Sequence, residues 1–545
     1  MPTRNLCIWF VSATVVGLIG AGNAQPSEGP EQVAAKTDQL LRDEVPFANA
    51  AKKAPPRIDD ERFLRRVSLD IIGRLPTPEE VTAFAFDPSP DKRTKIVNKL
   101  LADPRYGENW GRYWRDVIMY RKTEERQQFL VGIPLDSYLA ESLNKNKPWS
   151  QIATEFITAI GGANENGACG LIVAQQGQPE EIVGEVSRIF LGVQIQCAQC
   201  HDHPTDRWTR EQFHQLAAFF PRVSARPNQQ TRELTVTAID REPPQFGRRP
   251  MNMRAFGTLE HHMSDPKNPQ SEGKLMQPVI FATGDSLPIG TPDAERRGSL
   301  AKWITEKENP YFAKAFVNRL WSELTGEGFY EPIDDIGPDR HATAPKTLEY
   351  LAREFADSGY DVKWLFQVIM ATEMYQLPSA PRHGPEDPPM QHNVAQRLRA
   401  DQVFDNLLLV LEASEPAPPP GPMGPLAARF GGPRRQFTTA FGYDPSMRRD
   451  EVQSSIPQAL AMMNSPLIAG ALRGTGNTML ARELAMIKDD GALVQELFLR
   501  VLGREASQSE LTTCLQFVKQ VNNRTEAFED VLWGLVNSAE FLHRS

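Results

Sequence analysis

The sequence predicts a mainly α fold, with two helical domains and a loop-rich, partly β insertion between them. Three observations carry this expectation. Apolar residues recur at three- and four-residue spacing along most of the chain, as one buried helix face requires. Helix-start signals stand directly before several of those stripes. The periodicity lapses over residues 226–290, where a short apolar/polar alternation replaces it.

Composition narrows the possibilities. The 545 residues are 40% hydrophobic and 24% charged, enough for a packed core and against wholesale disorder. The length suits two to four domains. A net charge of −9 leaves no basic excess, which argues against a nucleic-acid binder drawn to phosphates. Five cysteines are too few for a disulfide-scaffolded chain of this size.

Residues 1–24 read as a secretory signal peptide. Arg4 supplies the positive start, Leu6 to Ile19 the apolar run, and Gly22-Asn23-Ala24 the small residues before a cleavage point. The alternative is an uncleaved membrane anchor, although the run is shorter than the ~20 residues a span needs. No later stretch reads as a transmembrane span. The expected location is exported: periplasmic, cell-envelope or extracellular.

Residues 25–56 form an extended or partly helical lead-in, and 57–225 a first helical domain. Phe63, Val67 and Ile71 share one helix face. Thr77-Pro78-Glu79-Glu80 is a capping box with proline at the first helical position. Residues 110–120 and 150–160 read as further helices. In the segment 226–290, Leu234, Val236 and Ala238 alternate as a strand would, and 278–283 reads as a second strand. A C-terminal helical domain spans 291–545, with helices at 297–307 and 310–324 and a Pro/Gly-rich surface loop at 415–435.

A weak internal repeat is visible. Leu69-Asp70-Ile71-Ile72-Gly73-Arg74 resembles Leu499-Arg500-Val501-Leu502-Gly503-Arg504, and each is followed by a capping box, Thr77…Glu80 and Ser507…Glu510. The next helices match too, ending on Tyr106 and Phe541. A third partial copy ends on Tyr375. The reading is a helix-pair unit closed by an aromatic plug.

One motif carries chemistry: Gln196-Cys197-Ala198-Gln199-Cys200-His201-Asp202-His203-Pro204. Cys-x-x-Cys-His is the spacing for covalent c-type haem attachment, with Cys197 and Cys200 adding to the haem vinyl groups and His201 beneath the iron. Two other readings stay open. One is a non-haem zinc or iron site built from Cys197, Cys200 and His201 or His203; the other is a Cys197–Cys200 disulfide or buried thiols in an oxidising compartment.

For haem, a sixth ligand has candidates in Met251, Met253, Met263, Met276, His261 and His262, each weighed against a plain packing or surface role. Asp202 can orient an imidazole, and Arg207 can neutralise a haem propionate. Trp208 adds apolar surface. The plainer alternative is a turn held by Asp206 and packed by Trp208. Ile182, Val186, Ile189, Phe190 and Val193 place one helix before the motif, and Thr209…Gln212 opens another after it.

Other signals are weaker. The Gly161-Gly162 and Gly167…Gly170 stretch lacks a phosphate-loop lysine. Cys169 and Cys514 either pair or stay buried thiols. Glu331, Asp334, Asp335, Asp339 and His341 form an acidic loop, read as solvated or as able to take a cation. No hydrolase signature is present, and no catalytic residue is assigned.

The residues running from Arg62 to Asp70, with Gly73-Arg74-Leu75-Pro76-Thr77, Phe190 to Pro204 and Trp208, resemble the planctomycete-type secreted cytochrome-like family. There, a domain of unknown function containing Cys-x-x-Cys-His precedes a second such domain. The second resembles Arg297 to Trp321 (including Asn309-Pro310 and Phe316-Val317-Asn318-Arg319), Asp361 to Tyr375, and the Ala459…Met462-Met463-Asn464-Ser465-Pro466 stretch. The resemblance implies an envelope or extracellular protein. It is often linked to an N-terminal haem domain, unmatched here, and encoded near sulfatase-like secreted proteins. The expected role is therefore redox or electron transfer with a separate partner, possible support of polysaccharide breakdown being analogy alone. The rival class is a non-catalytic envelope scaffold.

Overall fold

The computed structural model describes residues 28–45, 57–119, 125–231, 233–239, 258–268, 270–382, 388–417, 420, 432–451 and 455–544. The expected signal peptide, Met251 and Met253, and much of the 415–435 loop lie outside these residues. Helices dominate and the sheets are small, so the chain is mainly α. No helix of the described residues is long and apolar enough to cross a membrane.

Part of the lead-in is a regular helix, α1 (Pro30–Glu44). It docks by side chains as well as by apolar burial. The Asp38 carboxylate accepts from the Glu373 N–H, and the Glu44 carboxylate accepts from the N–H groups of Lys346 and Thr347. Helix α1 thus supplies acceptors for free N–H groups at the N-termini of two later helices.

Helix α2 (Asp60–Ile72) starts on an Asp59 cap and stops at Gly73, whose φ of 71° is left-handed. Helix α3 (Pro78–Phe86) opens on the Thr77/Glu80 capping box. The repeat is real as local structure. Gly503 ends a later helix at φ 68°, and the Ser507/Glu510 box opens the next. All three aromatic plugs, Tyr106, Phe541 and Tyr375, are fully buried.

Helices α4 (Lys92–Ala102), α5 (Pro104–Met119) and α7 (Trp149–Thr158) follow, close to the predicted stripes, while α6 (Glu125–Asn144) and the short α8 (Cys169–Ala174) were not predicted. In the intervening segment, strand 234–238 forms as predicted, pairing antiparallel with 223–227. The second expected strand does not. Residues 278–283 contribute only an isolated bridge at Val279, and the ladder forms instead between His261–Met263 and Lys274–Met276. Pro278 has no N–H, and those of Val279 and Ile280 go to the Gln215 and Asp285 carbonyls around a tight Ile280–Gly284 turn, so the stretch does not run on as a strand.

Buried apolar side chains gather into two clusters. The first runs from Val33 to Met390 and so includes residues on both sides of the 226–290 segment, Trp149 and Phe316 among them. The second runs from Leu398 to Phe541 and recruits Leu69 and Leu75 from around α2. The end of the described chain is stitched to the same helix. Strand 543–544 pairs with 396–397, and the Arg544 guanidinium donates to the Asp70 carboxylate at 2.8 Å. Tyr375 OH donates to that carboxylate too.

Candidate functional site

The Cys-x-x-Cys-His loop hangs between two buried helical segments. Helix α9 (Pro179–Val186) runs into a π-helical turn at Ser187–Leu191 and stops at Gly192, φ 65°. The predicted apolar face, Ile182, Val186, Ile189, Phe190 and Val193, is buried throughout. After the loop, α10 (Arg210–Ala217) opens on the Thr209/Gln212 capping box. Between them a single 3₁₀ turn, Gln196–Gln199, carries the first cysteine. Its inward residue, Ala198, is fully buried, and Gln196 packs so close to α9 that a Cβ on Gly184 would lie 1.7 Å from its side-chain oxygen.

Cys197, Cys200 and His201 face solvent, and both thiols are free. The His201 Nδ1–H donates to the main-chain carbonyl of Asp202 at 2.7 Å. A carbonyl only accepts, so the proton of the neutral ring sits on Nδ1 and Nε2 keeps its lone pair. His203 is the reverse. Its Nδ1 accepts from the Thr205 N–H, leaving the ring proton on Nε2. Of the two imidazoles, His201 alone presents a lone pair at the outer nitrogen.

The neighbours of the motif tie the loop down, although Asp202 and Arg207 remain exposed. Asp202 meets the imidazole through its carbonyl; its carboxylate accepts from the Arg210 N–H at 2.8 Å. Asp206 accepts from the Arg207 N–H. The exposed Arg207 guanidinium pairs with Asp339 at 2.8 Å. Trp208 is buried against Phe281, with ring centroids 4.7 Å apart. Asp206 and Trp208 thus meet their own neighbours, one by a hydrogen bond and the other by packing.

Below the loop lies a group the sequence did not single out. His214 on α10 donates from Nε2 to the Gln199 carbonyl at 3.1 Å, so its Nδ1 accepts from the Nε2–H of His261, 2.9 Å away. Both rings are buried and nearly parallel. Burial, with each ring's cationic neighbours, brings both imidazoles down to about 4, so the pair is neutral near pH 7. The detectable signal was a histidine at the edge of the apolar face of Phe213, Leu216 and Ala217. The pairing occupies the Nε2 of His261, one of the candidate sixth ligands. Met276 is buried, Met263 half-buried, and His262 lies within 3.6 Å of Glu272.

The acidic loop 331–341 is divided: Glu331, Asp339 and His341 are exposed, Asp335 is half-buried and Asp334 is buried. Asp334 is buried and accepts from Arg188, Arg319, Ser446 and Gln194. Asp335 pairs with Arg340, and Glu331 with Arg448. Among the described residues, no group of three or more His, Cys, Asp or Glu side chains is arranged to hold a metal ion. Cys169 is buried in the first cluster, its thiol pushed up to about 11 by desolvation, while Cys514 packs against the second. Both are free thiols, so no bridge joins them.

Comparison with known proteins gives two family matches. Residues 37–225 match a family described as a protein of unknown function, DUF1549. Residues 296–423 and 425–518 match a second, DUF1553. No curated protein and no solved structure matches the chain. In N-to-C order, then, the chain carries regions similar to two families of unknown function, the Cys-x-x-Cys-His loop lying within the first match and the 331–341 loop within the second.

Proposed function

We propose that this is an exported c-type haem protein serving redox or electron transfer at the cell envelope. The observation that carries the reading is the donor set on one exposed loop: two free thiols at the attachment spacing beside an imidazole whose outer nitrogen keeps its lone pair. These residues fit haem attachment on the protein side. Cys197 and Cys200 would hold the group covalently, and His201 would ligate its iron. Bound haem supplies one-electron chemistry.

The chain's own residues would orient and tune. The Asp202 carbonyl holds the His201 ring and strengthens its basicity. The buried His214 fixes the Gln199 carbonyl between the two cysteines. An electron partner would be a separate protein, and a sulfatase-like secreted protein remains a partner by analogy alone.

The test is spectroscopic. Full-length protein is exported from a host with haem-attachment machinery, denatured, and scanned. A Soret band that survives denaturation, and is lost in Cys197→Ser/Cys200→Ser, is the expected result. No band, with stoichiometric zinc or iron by elemental analysis, overturns haem in favour of a metal site.

A second reading has its own observation, since both thiols are free, solvent-facing and three residues apart. It is a scaffold protein whose cysteines form a disulfide on export. Absence of any cofactor, with a Cys197–Cys200 bridge by mass spectrometry, selects it.

A further inference from the structure

We infer that the 331–341 loop, which lies within the second family match, is the positioning element of the Cys-x-x-Cys-His loop, with Arg340 and Asp334 as its positioning residues. The inference deepens the haem reading but rests on contacts that exist without any cofactor.

The cysteine loop is pinned at both ends by this one segment. At its start, the Ile336 N–H donates to the Gly192 carbonyl at 2.6 Å, and Gln194 donates to the Asp334 carboxylate at 3.0 Å. At its end, Arg340 donates to the Thr205 carbonyl at 3.2 Å and to the Thr205 hydroxyl at 3.0 Å. Cys197, Cys200 and His201 all lie between those anchors. Side-chain packing adds a steric limit, because a Cβ on Gly192 would meet Ile336 at 2.8 Å.

The two anchors differ in rigidity. Asp334 is 1% exposed and receives two guanidinium groups, Arg188 and Arg319, besides Gln194. Its position is set by the interior, so the first anchor is fixed. Arg340 is 30% exposed and is oriented by Asp335 at 2.9 Å. An exposed ion pair contributes little by itself, but here the guanidinium fork grips a backbone carbonyl and a hydroxyl on the loop that carries the cysteines. Loss of that fork loosens this end of the loop, leaving it to the Arg207–Asp339 and Arg210–Asp202 contacts, while the core stays intact. The separation of the two thiols, and the angle at which His201 is presented, then widen into an ensemble.

The test uses full-length protein free of haem, equilibrated with reduced and oxidised glutathione. Two thiols and one glutathione disulfide give the Cys197–Cys200 disulfide and two reduced glutathiones, and the equilibrium constant reads the effective concentration of one thiol at the other. Arg340→Ala is expected to lower that constant roughly threefold or more, with an unchanged far-UV spectrum. Arg340→Lys, which keeps one donor, recovers part of it. A constant within about twofold of wild type in Arg340→Ala overturns the inference. Asp334→Asn is expected to have the larger effect; should it fail to fold, Arg340→Ala decides.

A second arm measures haem content of Arg340→Ala exported with attachment machinery, expected to fall. If the wild type takes up no haem, the functional proposal fails while the thiol equilibrium still decides the clamp.

Discussion

Lowering the pH from 7 to 5 should weaken the fold beneath the cysteine loop through the His214–His261 pair. Each imidazole stands at about 4 in the folded protein, against an ordinary value of 6.5, mainly because of burial. The folded value lies below the unfolded one, so the unfolded chain binds more protons throughout the window between them. The stabilisation is therefore complete above pH 6.5 and is lost as pH falls from 6.5 towards 4. At pH 5, each ring gives up about 2 kcal/mol, taking 1.36 kcal/mol per unit over the 1.5 units below 6.5. The pair loses up to about 4 kcal/mol.

Geometry adds to burial at His214. A proton on His214 Nδ1 would face the Nε2–H of His261, replacing an accepted hydrogen bond by two opposed donors. The assay is urea unfolding followed by tryptophan fluorescence at pH 7 and 5. The comparison is with His214→Gln/His261→Gln, whose amides keep hydrogen-bonding capacity without titrating. The double variant should lose less stability between the two pH values than wild type, by up to about 4 kcal/mol. Equal losses within about 1 kcal/mol would refute the assignment.

Three further outcomes are expected. Asp38, raised to about 7 by burial, has the opposite sign: its contribution is present below the unfolded carboxyl value and fades as pH rises from about 4 through 7. Asp38→Asn should flatten the pH dependence of hydrogen exchange in α1. Asp70→Asn leaves the Arg544 guanidinium facing a neutral amide and should cost about 3–5 kcal/mol, while the double variant Asp70→Asn/Arg544→Leu costs less than the sum of its parts. Urea midpoints measure both, and strict additivity would show the pair uncoupled. Gly192→Ala places a side chain at φ 65° and should cost about 1–2 kcal/mol, or more given its contact with Ile336. An unchanged thermal midpoint would contradict this.

Local signals were legible in the sequence because their partners lie within a turn or two. The Thr77/Glu80 and Ser507/Glu510 boxes, the left-handed Gly73 and Gly503, and the stripe Ile182–Val193 all formed as read. The Cys-x-x-Cys-His spacing was visible for the same reason. What escaped depends on distant partners. The loop at 331–341 looks acidic in sequence, but Asp334 meets Arg188 from 146 positions away, and such pairing leaves no periodic trace. Arg207 has no visible partner in sequence, yet Asp339 meets it from 132 positions on. The hairpin at 261–276 was missed because its three-residue strands are too short for alternation to register.

The Asp70–Arg544 pair spans 474 positions of chain. While a growing polypeptide emerges, its early helix must wait with an unanswered carboxylate and with Leu69 and Leu75 uncovered, since their cover comes from beyond residue 398. A fragment cut near residue 390 would keep that wound open permanently. Attempts to express the segment matching the first family alone should therefore yield sticky, protease-sensitive material, and the early portion needs guarding until the late one arrives.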